Sequence, residues 1–351
     1  MKYVVTGGCG FIGSHLAELL IGAGHDVVII DDLSTGDYEN VAHLDGNPRL
    51  ALLVASVLDA DLVAEAVRPS DGIFHLASAV GVRLIMDRPV ETIETIFKGT
   101  DVVLNCAARY RKKVLLTSTS EVYGKSTNVP FQEDGDRLEG PTHKHRWAYA
   151  CAKALDEFLA LAHWKEARLP VVVTRLFNTV GPRQTGQYGM VVPSFVRQAL
   201  ANEPIHVHGD GSQSRCFAHV LDVVEALASL IEQPAAYGEV INIGSQTEVS
   251  IRELADRVKT MTGSNSEIRL IPYAEAYGEG FEDMARRVPS IEKIHGLIGW
   301  SPSRHLDVIL EDVIASLRQS GSPSRGKDGA GPAADAVATD DVKQASPQRV
   351  S

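Results

Sequence analysis

Apolar and polar positions along the first half of the chain follow two periods. Mostly apolar runs at 2–6, 26–30, 51–54, 72–76, 113–118 and 171–176 read as buried strands. Between them apolar residues recur at helical spacing, first over 11–23 and most extensively over 89–109 and 148–165. Strands apolar on both sides and separated by helices predict an α/β fold, a doubly wound parallel sheet covered on both faces. The first junction is a strand, a glycine turn and a helix: the run 2–6 stops at Gly7-Gly8-Cys9-Gly10, and Phe11 and Ile12 open the helix. From about Gly181 the periodicity weakens, Gly, Pro and His become frequent, and the helical patches are short, at 192–201, 220–232 and 251–262. The pattern predicts a sheet domain over 1–180 and a smaller C-terminal lobe over 181–319, interleaved with it and capping the carboxyl edge of the sheet. The stretch 320–351 has no Leu, Ile or aromatic residue and is rich in Gly, Ala, Ser, Pro and Asp. It cannot bury enough apolar surface to offset its ordering entropy and reads as a disordered tail.

Composition narrows the partners. The chain has 351 residues, 34 Lys+Arg against 45 Asp+Glu, a net charge of −11 and 44% hydrophobic residues. That balance, without a dense basic run, argues against nucleic acid or an anionic membrane as the main partner, because phosphate binding is driven by positive charge. Met1-Lys2-Tyr3 runs directly into the first strand and no stretch approaches 18 apolar residues, so neither leader nor membrane span is expected and the reading is cytoplasmic. Cys9, Cys106, Cys151 and Cys216 lie far apart with no CxxC pair, which argues against a zinc site or a disulfide framework, so no metal is expected. Cys151 reads as a small packing residue.

Two groups of residues carry chemistry. Gly7, Gly10 and Gly13 are spaced GxxGxxG where the first strand meets the first helix. A dinucleotide needs glycine there for the tight turn, for close approach of the pyrophosphate and for packing of the helix, whose N-terminal amides face the anion. Asp31 ends the second strand, where its carboxylate can accept hydrogen bonds from a ribose diol and would repel a 2′-phosphate, which favours NAD over NADP. Tyr149 and Lys153 stand four apart on one helix face, and an ammonium beside a phenol stabilises the phenolate. Before them, Ser118-Thr119-Ser120-Glu121 is a hydroxyl-rich segment at a strand's carboxyl end, where ligands collect in open α/β sheets. In the less regular half, Arg215 and Arg287 offer guanidinium forks for a diphosphate or a carboxylate.

These motifs, in order, resemble the extended short-chain dehydrogenase/reductase family acting on nucleotide sugars. The likeness is carried by Thr6-Gly7-Gly8-Cys9-Gly10-Phe11-Ile12-Gly13-Ser14-His15, Asp31-Asp32-Leu33-Ser34-Thr35-Gly36, His75-Leu76-Ala77, Tyr149-Ala-Cys-Ala-Lys153 and Arg175-Leu-Phe-Asn178-Thr-Val-Gly-Pro-Arg183. Ser118-Thr-Ser-Glu-Val-Tyr-Gly124, Arg146-Trp147-x-Tyr149, Gln213-Ser-Arg215-Cys-Phe217 and Tyr277-Gly-Glu-Gly-x-x-Asp-x-x-x-Arg287-x-Pro289 resemble its UDP-glucuronate decarboxylase branch. The resemblance implies a Rossmann domain holding NAD and a substrate lobe for a UDP-sugar. Gly7, Gly10, Phe11, Ile12, Gly13, Asp31, Asp32, Leu76, Ala77, Tyr149 and Lys153 would bind the cofactor. Tyr149 would take the C4 hydroxyl proton, Thr119 hold that hydroxyl, and Lys153 grip the nicotinamide ribose and tune Tyr149. Glu121, with Ser120 and Arg215, would act near the C5 carboxylate, and Asn178, Arg183 and Arg287 would line the substrate site. A homodimer through 89–109 and 148–165 is also implied.

The chain departs from that branch at Ala77-Ser78-Ala79-Val80-Gly81-Val82-Arg83, which looks more like the 4-epimerases. Arg83 is either a carboxylate ligand or a surface residue. Ile96-Phe-Lys-Gly99-Thr100 lacks the Asn many members carry to support the active-site helix, and Ser56 stands where an acidic adenine contact is common. The leading reading is transient C4 oxidation with decarboxylation of UDP-glucuronate to UDP-xylose or its 4-keto form. A 4-epimerase on UDP-glucose or UDP-glucuronate is the alternative. A 4,6-dehydratase ranks lower, because Ser120 stands where its Asp would be; a non-catalytic NAD-binding protein is the reading from another class.

Overall fold

The computed structural model describes residues 1–78, 88–144, 146–186, 190–273, 275, 284 and 286–319. Arg83, His145, the motif from Tyr277 to Asp283 and the tail 320–351 lie outside them, as does the side chain of Arg146. The first half runs β1 (Lys2–Thr6), α1 (Phe11–Gly22), β2 (Asp26–Asp31), β3 (Leu50–Val54), α2 (Ala60–Val67), β4 (Gly72–His75), α3 (Pro89–Tyr110), β5 (Lys113–Thr119), α4 (Arg146–Ala167), β6 (Val171–Leu176) and β7 (Thr179–Val180). The second half adds α5 (Val191–Leu200), β8 (Ile205–His208), β9 (Ser214–Cys216), β10 (Ala218–His219), α6 (Val220–Leu230), β11 (Glu239–Ile243), β12 (Glu248–Ser250), α7 (Ile251–Thr262), β13 (Ile268–Ile271), α8 (Glu292–Ile298) and α9 (Leu306–Gln319). Residues Met1–Gln319 form one compact unit.

Among the described residues seven strands make one parallel sheet in the order β11-β6-β5-β4-β1-β2-β3. Successive strand residues point to opposite faces, so each apolar run feeds two cores. Val5, Ile29, Phe74, Leu115 and Ile241 pack with Leu16 and Leu20 of α1 and with Val223 and Leu227 of α6. Their neighbours Val4, Ile30, Ile73, Leu116 and Val173 pack with Val63 of α2, Val103 and Leu104 of α3 and Ala160 of α4. A third core, of Phe195 and Val196 (α5), Val207 (β8), Leu254 and Val258 (α7) and Leu310 and Val313 (α9), holds the smaller lobe.

Two pieces of the stretch 181–319 belong to the sheet layer. β11 pairs with β6 from Glu239↔Val172 to Ile243↔Leu176, and α6 buries Val223, Val224 and Leu227 against the sheet side that α1 covers. The 220–232 patch therefore covers a sheet face, while α5, α7 and α9 build the lobe core. β11 escaped the apolar-run criterion because Asn242 interrupts it; that side chain is fully buried, accepting from Tyr123 Oη at 2.7 Å and donating to Phe131 O at 2.9 Å. Cys151 is exposed on α4 and is not a packing residue. No helix among the described residues is long and apolar enough to cross a membrane.

Candidate active site

The carboxyl ends of β1, β2, β4, β5 and β6 open into one cleft of about 1120 Å³. At its floor Gly7 has φ +70°, in the region that favours glycine, and a Cβ there would meet Ala77 N at 2.8 Å. A Cβ at Gly13 would stand 2.1 Å from Gly7 O, so no side chain fits between turn and helix. α1 starts at the Gly10 N-cap without a side-chain cap, leaving its first-turn amides toward the cleft beside Phe11 and Ile12. Asp31 is buried at the end of β2, where Cys9 N and Leu33 N donate to its two oxygens at 2.8 and 2.9 Å. Burial raises its carboxyl pKa and those amides oppose the rise. Asp32 also lines the cleft and accepts from Ser34 N at 3.0 Å. An uncapped helix start, a turn with no room for side chains and an acidic strand end together fit a dinucleotide with a free ribose diol.

Opposite this cradle, β5 ends at Thr119, whose Oγ1 accepts from Glu121 N at 3.2 Å and so caps the turn Ser120–Tyr123. That cap turns Thr119, Ser120 and Glu121 into the cleft. α4 brings Tyr149 against the hydroxyls of Thr119 and Ser78. Burial first, then the charge of Glu121, pushes the Tyr149 pKa up; the two hydroxyls beside it pull it down. One turn on, Lys153 lines the cleft with its Nζ 2.9 Å from Asp156 Oδ2. Glu121 forms an ion pair of 2.7 Å with Arg287 Nη1, with both side chains mostly buried. Arg287, which the sequence offered only as a lining cation, is thus an ion-pair partner of that carboxylate.

Every expected site residue within the described set lines this cleft: Gly7, Gly10, Phe11, Ile12, Gly13, Asp31, Asp32, Leu76, Ala77, Thr119, Ser120, Glu121, Tyr149, Lys153, Asn178, Arg183, Arg215 and Arg287. Some also serve the scaffold. Asn178 donates to Cys216 O at 2.9 Å, and Arg183 reaches Glu18 Oε2 at 2.8 Å and Ser14 Oγ at 3.3 Å on α1. Both take positive φ, +28° and +68°, which Asn tolerates better than Arg. Arg215 is buried on β9 and donates to Ser214 O at 2.8 Å. Sequence reasoning missed Ser78, Asp156, His206, His208 and Tyr273. The two histidines alternate with buried Ile205 and Val207 on β8, a period-two signal, and Asp156 is three residues from Lys153, within helical reach. Together these groups can take a proton from a hydroxyl, hold a dinucleotide and present a guanidinium and a carboxylate in the same cleft.

The chain matches the family model described as GDP-mannose 4,6 dehydratase over residues 4–313. It is 42% identical over 319 residues to a UDP-N-acetyl-alpha-D-glucosaminuronate decarboxylase of Bacillus cytotoxicus, covering 91% of this chain and 98% of the relative. It is 36% identical to UDP-glucuronic acid decarboxylase 1 of Arabidopsis thaliana, over 91% of this chain and 70% of the relative. Among solved structures, a mutant of the UDP-glucuronic acid 4-epimerase of Bacillus cereus, in complex with UDP-4-deoxy-4-fluoro-glucuronic acid and NAD, superimposes with TM-score 0.82 at 26% identity, over 91% and 100% of the two chains.

Proposed function

This chain belongs to the GDP-mannose 4,6-dehydratase family, and from that premise we propose that it is an NAD-dependent decarboxylase of a UDP-linked uronic acid, working through transient oxidation at C4. The observation that carries the reading is the Glu121–Arg287 pair beside Tyr149 in the dinucleotide cleft. Decarboxylases at 42% and 36% identity support it from outside.

Tyr149, as phenolate, takes the C4 hydroxyl proton while Thr119 holds the hydroxyl by a hydrogen bond. Lys153 would hold the nicotinamide ribose, Asp31 the adenosine ribose, and the amides of α1 the pyrophosphate. NAD, when bound, supplies the acceptor of the C4 hydride and later its donor. A 4-keto uronic acid is a β-keto acid, so once the ketone exists the C5–C6 bond breaks, carbon dioxide leaves and its electron pair remains as an enolate across C4 and C5. The protein then needs only to orient the carboxylate and protonate C5. Arg287 and Arg215 are the cations for that carboxylate, and Glu121 with Ser120 delivers the C5 proton. The sugar is UDP-glucuronate or its 2-acetamido counterpart; the 42%-identical relative favours the second. Carbon dioxide release should accompany turnover of the uronates, with UDP-glucose and UDP-galactose untouched. Interconversion of those neutral sugars with no carbon dioxide from either uronate would replace the reading by 4-epimerisation. Glu121→Gln should slow turnover far more than it weakens NAD binding; equal losses would make Glu121 structural.

A homodimer and a cytoplasmic setting belong to the same reading. The dimer is supported by apolar residues left in solvent on two packed helices: Val90 (69% exposed) and Ile93 on α3, Leu155 and Phe158 (63%) on α4.

A further inference from the structure

Beneath the cleft, Lys153 and Asp156 are 3% and 0% exposed, and Nζ donates to Oδ2 at 2.9 Å across one turn of α4. The second oxygen, Oδ1, is buried and makes no hydrogen bond among the described residues. A carboxylate buried with one oxygen unmet is a poor stabiliser of a fold, because ion pairs inside proteins seldom recover their desolvation. What it contributes is the placement of the lysine. Behind the pair a line of buried polar groups runs to the glycine turn. The Thr100 hydroxyl of α3 faces the Asp156 carboxyl and lies 3.2 Å from His75 Nε2; His75 Nδ1 lies 2.7 Å from Thr6 Oγ1, which accepts from Ala77 N at 3.2 Å. Ile96, one turn before Thr100 on α3, is buried and apolar, so it offers this line no partner.

The geometry points to Asp156 as a positioning residue that holds Lys153 in one rotamer beside Tyr149, acting on the reaction only through that lysine. The inference rests on the reading of Tyr149 and Lys153 as the working pair. The groups facing the lysine agree with it. His75 of β4 is held neutral, its pKa lowered to about 3 by burial and then by Lys153 itself. Glu121, from the turn after β5, acts on Tyr149, and Glu157 lies beside Asp156 on the same helix. Asp156 is thereby the one carboxylate within ion-pair distance of the ammonium among the described residues.

Two measurements on the full chain test this without any sugar nucleotide, so their failure is separate from failure of the decarboxylase reading. The first is the rate of trace acetylation of Lys153 by acetic anhydride at neutral pH, read by mass spectrometry. Asp156→Asn should raise it at least tenfold, because a lysine no longer held by its partner leaves its buried rotamer and meets the reagent; an unchanged rate overturns the proposal. The second is a thermal cycle. Asp156→Asn should lower the melting temperature of the wild type and raise that of Lys153→Met, where the carboxylate has lost its ion pair with Lys153. The same sign in both backgrounds overturns the proposal. Should Asp156→Asn alone fail to fold, a Lys153→Met/Asp156→Asn protein more stable than Lys153→Met still upholds it, and one less stable overturns it.

Discussion

Tyr149 is pushed toward its protonated form by burial, then by Glu121 and Asp156, while the hydroxyls of Thr119 and Ser78 work the other way. Its pKa therefore lies above the ordinary value near 10. A reaction that needs the phenolate should speed up as pH rises through the neutral and mildly alkaline range, and a rate flat in pH would remove Tyr149 as the base. Tyr149→Phe should reduce turnover by about 10²–10⁴, the usual worth of a positioned acid–base group. Equilibrium dialysis should find NAD affinity changed only a few-fold. His75 has the opposite shift and a consequence for stability. Its folded-state pKa of about 3 lies below the unfolded value of 6.5, so the unfolded chain binds the extra proton. The stability due to neutral His75 is complete above pH 6.5 and is lost as pH falls toward 3, at roughly 1.4 kcal/mol per pH unit. Buried His15, lowered to about 4, adds to the slope. Denaturant midpoints between those limits should fall with acidity, and less steeply in His75→Gln.

At the scale of elements, the junction of β1 with α1 is the most constrained. Gly13→Ala would drive a methyl group to 2.1 Å from Gly7 O, so the helix start must shift and NAD binding should fall below detection while the far sheet edge persists. Fluorescence titration with NAD checks this; unchanged affinity would mean that the cradle lies elsewhere. The elements that could be read in advance are those whose signal is local. β1 and β6 are built on the apolar runs Tyr3–Val5 and Val171–Val173, and α7 is amphipathic from Ser250, which caps it through Glu253 N, to Gly263. β11 was not legible because its buried Asn242 is satisfied by Tyr123 and Phe131, residues distant in sequence. The site divides in the same way. Tyr149 and Lys153 declare themselves by helical spacing, whereas the pairing of Glu121 with Arg287 exists only after the lobe has closed over the sheet.

For the whole molecule, a net charge of −11 coexists with an anionic substrate because arginines are concentrated in the cleft: Arg183, Arg215 and Arg287 all line it. The apolar residues on the outer faces of α3 and α4 give the assembly its test. Light scattering should find a dimer, and Phe158→Glu should shift it to monomer with the fold intact. A monomeric wild type would leave Val90, Ile93, Leu155 and Phe158 unexplained. The central claim is that the carboxylate leaves as carbon dioxide and C5 takes a proton from solvent. Incubating the protein in D₂O with UDP-glucuronate and with its 2-acetamido counterpart, each ¹³C-labelled at C6, and following both by NMR measures this directly. The expected result for at least one of them is ¹³C-bicarbonate together with a UDP-sugar that has lost C6 and carries one deuteron at C5. Label retained in the sugar for both substrates, with or without inversion at C4, would contradict it.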